Sequence, residues 1–183
     1  MSILKQLKVD RDWTLFLDRD GVINLHFPKD YVKDWSEFYF LEGALEHIAR
    51  LSKIFGKIVV VTNQQGVAKG LMTEDTLLSI HRNMMAEIEA SGGRIDSIYA
   101  ATSLAHDDPD GLRKPKIGMA MQAQLDFPEI DFAKAIIVGD SITDMQFGRN
   151  AGMFTMLVSD RESSDAVESL LVDFKLNSLA DLI

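Results

Sequence analysis

The 183-residue sequence contains no cysteine, which excludes disulfides and thiolate metal sites while fitting several compartments. Nor does it contain a stretch approaching the roughly 18 to 20 uninterrupted apolar residues of a membrane-spanning helix. The opening segment MSILKQLKVDRDW has no apolar run of the secretory kind. A cytoplasmic protein without a membrane partner is the expectation. Basic side chains are in short supply: 19 Lys and Arg stand against 28 Asp and Glu, for a net charge of −9. That deficit argues against broad binding to nucleic acid or anionic membranes, which depends on basic surface. It leaves room for a small cationic pocket, and so for a phosphorylated small molecule. What is present is ordinary for a soluble globular chain, 46% hydrophobic and 26% charged. The length suits one domain, residues 1–183, that buries roughly 70% of the surface its unfolded form exposes. Monomer and small homo-oligomer both remain open.

Five short apolar runs read as strands: Thr14 to Leu17, Lys57 to Thr62, Ile95 to Ala101, Ala135 to Gly139 and Phe154 to Val158. Ile58-Val59-Val60-Val61 and Ile136-Ile137-Val138 are apolar at every position, as suits a parallel sheet covered on both faces. Helical spacing links Leu45, Ile48, Ala49, Ser52 and Phe55 up to Gly56, and Leu77, Leu78, His81, Met84, Met85 and Ile88 up to Gly92-Gly93. Thr73-Glu74-Asp75 offers the second of these a cap and an acidic first turn. Alternating strands and helices imply βαβ crossovers and a doubly wound open α/β sheet with helices on both faces. The aromatic-rich connection from Val22 to Gly43 reads as an ordered flap. Beyond Asp160 the pattern suggests a closing helix and short peripheral elements.

Ligands of such a sheet bind beyond the carboxyl ends of its strands. The first run is followed there by Asp18-Arg19-Asp20-Gly21, the second ends in Thr62-Asn63-Gln64, and the fourth enters Gly139-Asp140-Ser141 with Asp144 four residues on. Arg113-Lys114-Pro115 precedes the fourth run. Each piece alone has a bland reading: an acidic turn, a helix cap, a solvated lysine. Together they bring four carboxylates to one edge, a repulsion usually resolved by a divalent cation. Hard oxygen donors suit Mg²⁺, and Thr62, backbone amides and Lys114 suit phosphate.

Asp18-Arg19-Asp20-Gly21-Val22-Ile23-Asn24, Val61-Thr62-Asn63-Gln64, Arg113-Lys114-Pro115 and Val138-Gly139-Asp140-Ser141-x-x-Asp144 resemble, in order, the four motifs of the haloacid dehalogenase superfamily of phosphatases. The likeness runs from about Leu15 to Val158. Within the superfamily, Thr62 to Gly70 and Arg113 to Met119 are similar to the subgroup that holds heptose bisphosphate and histidinol-phosphate phosphatases. The resemblance implies an Mg²⁺-dependent phosphatase working through an aspartyl phosphate, with no separate cap domain. Asp18 would be the nucleophile, and Asp20 the acid and then the base. Thr62, the Asn63 amide and Lys114 would hold the phosphoryl group, while Asp18, the Asp20 carbonyl, Asp140 and Asp144 would hold the metal. The implied substrate is a small phosphorylated metabolite, first a sugar phosphate such as D-glycero-D-manno-heptose bisphosphate, with histidinol phosphate as the alternative. Arg113, directly before Lys114, offers a planar guanidinium that could clamp a second phosphate or hydroxyls. Cationic or potentially cationic groups in the surrounding loops are His26, Lys29, Lys33, Lys69 and Arg113.

One departure stands out. The subgroup often carries a structural zinc in the loop before the lysine motif, bound in a Cys-x-His, Cys-x-Cys pattern. Here the four ligand positions hold Leu104, His106, Asp110 and Leu112, and leucine cannot ligate, so no zinc is expected. The loop must be held otherwise, with turns around Asp107 to Pro109 as the candidate. A non-catalytic, receiver-like phosphoacceptor domain is the alternative from another class. It places its acceptor Asp after the third strand, where this chain has Ala100-Ala101-Thr102. A nucleic-acid end phosphatase on the same scaffold fits poorly with the acidic balance.

Overall fold

The computed structural model describes residues 2–28, 30–159 and 170–183. Lys29 and most of the closing helix expected beyond Asp160 lie outside them. Strands β1 (Thr14–Leu17), β2 (Lys57–Asn63), β3 (Ser97–Ala101), β4 (Ala135–Gly139), β5 (Phe154–Val158) and β6 (Phe174–Leu176) form one sheet in the order β3-β2-β1-β4-β5-β6. All neighbouring pairs are parallel. β1, β4 and β5 coincide with the apolar runs of the sequence, and β2 is one residue longer. β3 starts at Ser97 rather than Ile95, because the preceding turn is tied down: Asp96 accepts from Ile58 N–H at 2.8 Å and from Arg94 Nε at 2.9 Å.

Period-2 alternation sorts the strand side chains onto two faces. After a short α1 (Ile3–Gln6), Leu15, Leu17, Ile58, Val60, Ile136 and Val138 pack with Ile48 and Leu51 of α2 (Ala44–Leu51) and with Ile80, Met84 and Ile88 of the long helix α3 (Glu74–Ala90). Phe16, Val59, Val61 and Ile137 pack on the opposite face with Met119, Ala120 and Ala123 of α4 (Gly118–Asp126) and Phe147 of α5 (Ile142–Ala151). These are the helices on both faces that the unbroken apolar runs imply. Phe16 is fully buried, and truncating it to Ala should cost about 3–5 kcal/mol. Thr73 caps α3 as expected, its hydroxyl accepting from Thr76 N–H at 3.1 Å.

The winding direction reverses between β1 and β4, and there the two carboxyl ends lie side by side, with Leu17 in register with Val138. Asp18 extends the ladder by one rung, its N–H donating to Val138 O at 2.9 Å. Asp18 and Asp140 are therefore placed by sheet register. The described residues of the flap are ordered: Leu25 N–H reaches Tyr39 O and Leu41 N–H reaches Ile23 O, both at 2.9 Å. Trp35 stacks on Phe38 at 4.9 Å, and Phe38 meets Phe40 edge-on at 5.0 Å.

Candidate active site

The carboxyl ends deliver a buried charge cluster. Lys114 Nζ, 3% exposed as a residue, lies 2.9 Å from Asp18 Oδ1 and 2.6 Å from Asp144 Oδ1 and donates to Val61 O at 2.8 Å. Burial opposes the Lys114 charge, but Asp144 and Asp18 more than reverse that effect and hold the ammonium above the ordinary lysine range. Burial, and then the charges of Asp144 and Asp20, push Asp18 up to about 8 against the pull of Lys114. Asp140 is also raised by burial, with His26 opposing and Asp144 adding. Oxygens of Asp18, Asp140 and Asp144 all lie within 4.8 Å of one another. One ammonium does not neutralise three converging carboxylates, and this set of hard oxygens could hold a metal ion. Two glycines make the approach possible. A Cβ on Gly21 (φ +84°) would lie 2.2 Å from Asp140 Oδ2, and one on Gly139 would lie 2.2 Å from Asp144 Cβ.

Asp20 shares the cleft with Asp18 but is held in a web of its own. Arg19 Nη2 donates to both of its oxygens at 3.1 Å, Asn24 Nδ2 to Oδ1 at 2.8 Å and Gln64 Nε2 to Oδ2 at 2.8 Å. Burial alone would raise Asp20, but the Arg19 charge and these hydrogen bonds outweigh it and hold the carboxyl below its usual range. Gln64 also donates to Thr62 Oγ1 at 2.9 Å, which joins the second motif to the first. Arg19 is itself fully buried, with Nη1 3.2 Å from His81 Nε2 on α3. Burial first, and then the Arg19 charge, push His81 down to about 3, with Asp20 opposing. His81 is thus neutral at pH 7 and accepts from Arg19.

The third motif is clamped by Asn63, whose side chain accepts from Lys114 N–H at 3.0 Å and donates to Lys114 O at 3.2 Å. Arg113, Thr62, Asn63 and Lys114 line a cleft of about 220 Å³ together with Asp18, Asp20, Asp140 and Asp144. The eight residues singled out from the sequence are therefore gathered in one place. His26 joins them from the flap, with Nδ1 2.8 Å from Asp140 Oδ2. Lys33 is instead paired with Asp30 at 2.8 Å, and Lys69 Nζ donates to Tyr31 Oη at 3.2 Å.

Residues 7–173 match the family model described as polynucleotide kinase 3 phosphatase. The chain is 36% identical to the D-glycero-beta-D-manno-heptose-1,7-bisphosphate 7-phosphatase of Yersinia pestis, covering 92% of each. It is 33% identical to the corresponding alpha-heptose enzyme of Mycobacterium bovis, covering 94% of this chain and 90% of the relative. The D,D-heptose 1,7-bisphosphate phosphatase of B. bronchiseptica, solved with magnesium and phosphate, superimposes with a TM-score of 0.80 at 32% identity, covering 93% of this chain and 95% of the other. The chain belongs to this family of haloacid dehalogenase-type phosphatases. In this phosphatase the partners of Asp20 are the residues that motif reading alone passes over. Arg19 looks like a spacer between two acids. His81 stands at an apolar position of the repeat Leu77, His81, Met84, Ile88, and that position is the signal that it is buried and needs a partner. Among the described residues no helix is long and apolar enough to cross a membrane.

Proposed function

We propose that this phosphatase removes one phosphate from a sugar bisphosphate of the heptose 1,7-bisphosphate type and that Arg113 holds the other. The observation that carries the reading is Arg113 itself. Its Nη1 is buried without a hydrogen-bond partner, on a side chain that lines the same cleft as Asp18 and Lys114. An unpartnered buried guanidinium nitrogen is costly unless a ligand completes it, and a phosphate matches its fork. The names of both relatives fit a substrate with two phosphates.

In this reading Asp18 attacks phosphorus. One of its carboxylate oxygens forms the new bond while the bond from phosphorus to the sugar oxygen breaks, with Arg19 N–H and Lys114 steadying the carboxylate through Oδ1. Asp20 gives its proton to that oxygen. In the second step Asp20, ionised again, takes a proton from water, the water oxygen bonds to phosphorus, and the bond to Asp18 breaks to free inorganic phosphate. The web of Arg19, Asn24 and Gln64 suits the ionised Asp20 of the second step, so substrate must loosen it before the first. Thr62, the Asn63 amide and Lys114 hold the phosphoryl oxygens throughout. Mg²⁺, held by Asp18, the Asp20 carbonyl and Asp140 with Asp144 behind them, would supply charge neutralisation when bound.

The test is a comparison of kcat/KM with Mg²⁺ for the 1α,7- and 1β,7-heptose bisphosphates, sugar monophosphates, histidinol phosphate and an oligonucleotide with a 3′-phosphate end. A bisphosphate should lead. Arg113→Ala should lower its kcat/KM by about 10- to 100-fold, as expected for a charge-assisted contact, and barely change p-nitrophenyl phosphate hydrolysis. A lead for the oligonucleotide would refute the reading.

A further inference from the structure

In the loop before the lysine motif, the four positions where the resemblance would put zinc ligands hold Leu104, His106, Asp110 and Leu112. Leu112 packs against the apolar cluster under α4, and Leu104 forms a bridge to Asp107. His106 and Asp110 are exposed. Among the described residues, the one group of three or more His, Cys, Asp or Glu side chains that could hold a metal is elsewhere, at Asp18, Asp140 and Asp144.

A different kind of centre stands in this loop. The Asp108 carboxylate is only 2% exposed, although residues on both sides of it are exposed. Its Oδ1 accepts from Ser103 Oγ at 2.9 Å and from Leu112 N–H at 3.2 Å. Its Oδ2 accepts from Arg113 N–H at 3.2 Å and pairs with Lys116 Nζ at 3.0 Å. Lys116 Nζ and Gly111 N–H also reach the Asp108 carbonyl, both at 3.2 Å. Four donors come close to filling the capacity of one ionised carboxylate, which makes its burial tolerable. A zinc ion gathers four electron-pair donors from such a loop, whereas Asp108 gathers four hydrogen donors spread over residues 103–116. The turns around Asp107 to Pro109 are present, with Asp107 N–H reaching Leu104 O at 3.1 Å, but the carboxylate between them ties both ends of the loop together.

We propose that Asp108 takes the place of a metal in this loop and is a positioning residue for Arg113. The two adjacent residues of the motif are held independently: Asn63 grips the Lys114 backbone from β2, and Asp108 grips the Arg113 backbone from the loop. Losing Asp108 therefore releases Arg113 and leaves Lys114 in place. The role rests on the reading of Arg113 as the anchor of the second phosphate.

The experiment compares Mg²⁺-loaded wild type, Arg113→Ala, Asp108→Ala and Asp108→Asn on the preferred heptose bisphosphate and on p-nitrophenyl phosphate. Asp108→Ala should raise KM for the bisphosphate about tenfold or more with kcat little changed, while the aryl phosphate is hydrolysed as by wild type. Asp108→Asn keeps the shape, loses the Lys116 ion pair and should move the same way; it carries the test if the alanine variant fails to fold. If Arg113→Ala shows no difference between the two substrates, the second-phosphate reading falls and this role with it. If Arg113→Ala shows the split and the Asp108 variants do not, the role of Asp108 alone is overturned. Equal losses on both substrates, or about one tightly bound zinc per wild-type chain, also overturn it.

Discussion

His81 gives the most exacting test of the buried web, because it makes stability depend on pH in a direction that can be worked out. The residue is 6% exposed, and its pKa is pushed from 6.5 down to about 3 by burial beside Arg19. Between those values the unfolded chain binds a proton that the native protein refuses. The stability this group contributes is therefore complete above about pH 6.5 and is lost as pH falls toward 3. Between pH 7.5 and pH 5 the loss from this residue is roughly 2 kcal/mol, taking the reference pKa for the unfolded state. His81→Gln removes the titration but keeps an acceptor for Arg19, so at pH 7.5 it should cost no more than about 1.5 kcal/mol. At pH 5 it should regain about 2 kcal/mol relative to wild type. Asp18 works in the opposite sense: raised to about 8, it keeps a proton that the unfolded chain loses above about 3.8, so the cation-free protein becomes less stable as pH rises toward 8. That contribution is the same in both proteins and cancels in their difference. Urea unfolding of the pair at the two pH values gives the answer. Parallel pH profiles would show that His81 titrates normally and would refute a neutral His81 holding Arg19.

Two further outcomes follow from the charge cluster. Asp18→Asn should lower kcat by about 10³ or more, since an amide is a poor nucleophile, while thermal unfolding of the metal-free protein at pH 7 shows no loss of stability, because Asp18, raised to about 8, is already uncharged there and Asn keeps its shape. Gly21→Ala puts a Cβ 2.2 Å from Asp140 Oδ2 at φ +84°; calorimetric titration should show Mg²⁺ affinity reduced about 10- to 100-fold, and wild-type affinity would mean that Asp140 is not a ligand.

The sheet was legible because its strands are buried on both faces and so spell continuous apolar runs, which fixed β1, β4 and β5 to the residue. β6 was not, because three residues at an edge, Phe174-Lys175-Leu176, form no run. The first of the two helical repeats appeared to extend to Phe55, but its helix stops at Leu51. Phe55 is buried from a turn, with its N–H on Leu51 O at 3.0 Å. Of the site, every residue lying just after a strand was legible, since the carboxyl edge of a parallel sheet says where to look. What periodicity and motifs do not encode is partnership between distant side chains. The pairing of Arg19 with His81 spans 62 positions, and nothing local announces it. Asp108 is not legible for a related reason: within a run of exposed loop residues it reads as part of a turn, and only the fold shows four donors converging on it.

The bland and the functional readings of the motif residues turn out not to exclude each other, and this explains how so small a site is held still. Asp144 does cap α5: its Oδ2 accepts from Ser141 N–H at 3.1 Å, while its Oδ1 faces Lys114. Asn63 ends β2 and at the same time fastens the backbone of Lys114. Asp18 is both the last rung of the ladder between β1 and β4 and an ion-pair partner of Lys114 at 2.9 Å. Each of these groups satisfies a structural demand with one atom and faces the cleft with another, so its position inherits the rigidity of the close-packed sheet. Arg113 and His26 have no such anchorage in the sheet. They hang from the loop fastened by Asp108 and from the flap, both of which lie at the surface. Asp18, Lys114 and Asp144 are thus fixed by the core and Arg113 and His26 by the periphery, and on the proposed reading this assigns the chemistry to the core and the choice of substrate to the periphery, so that Leu104 and Leu112 can stand in the loop while Asp18, Asp20, Lys114 and Asp140 stay in place.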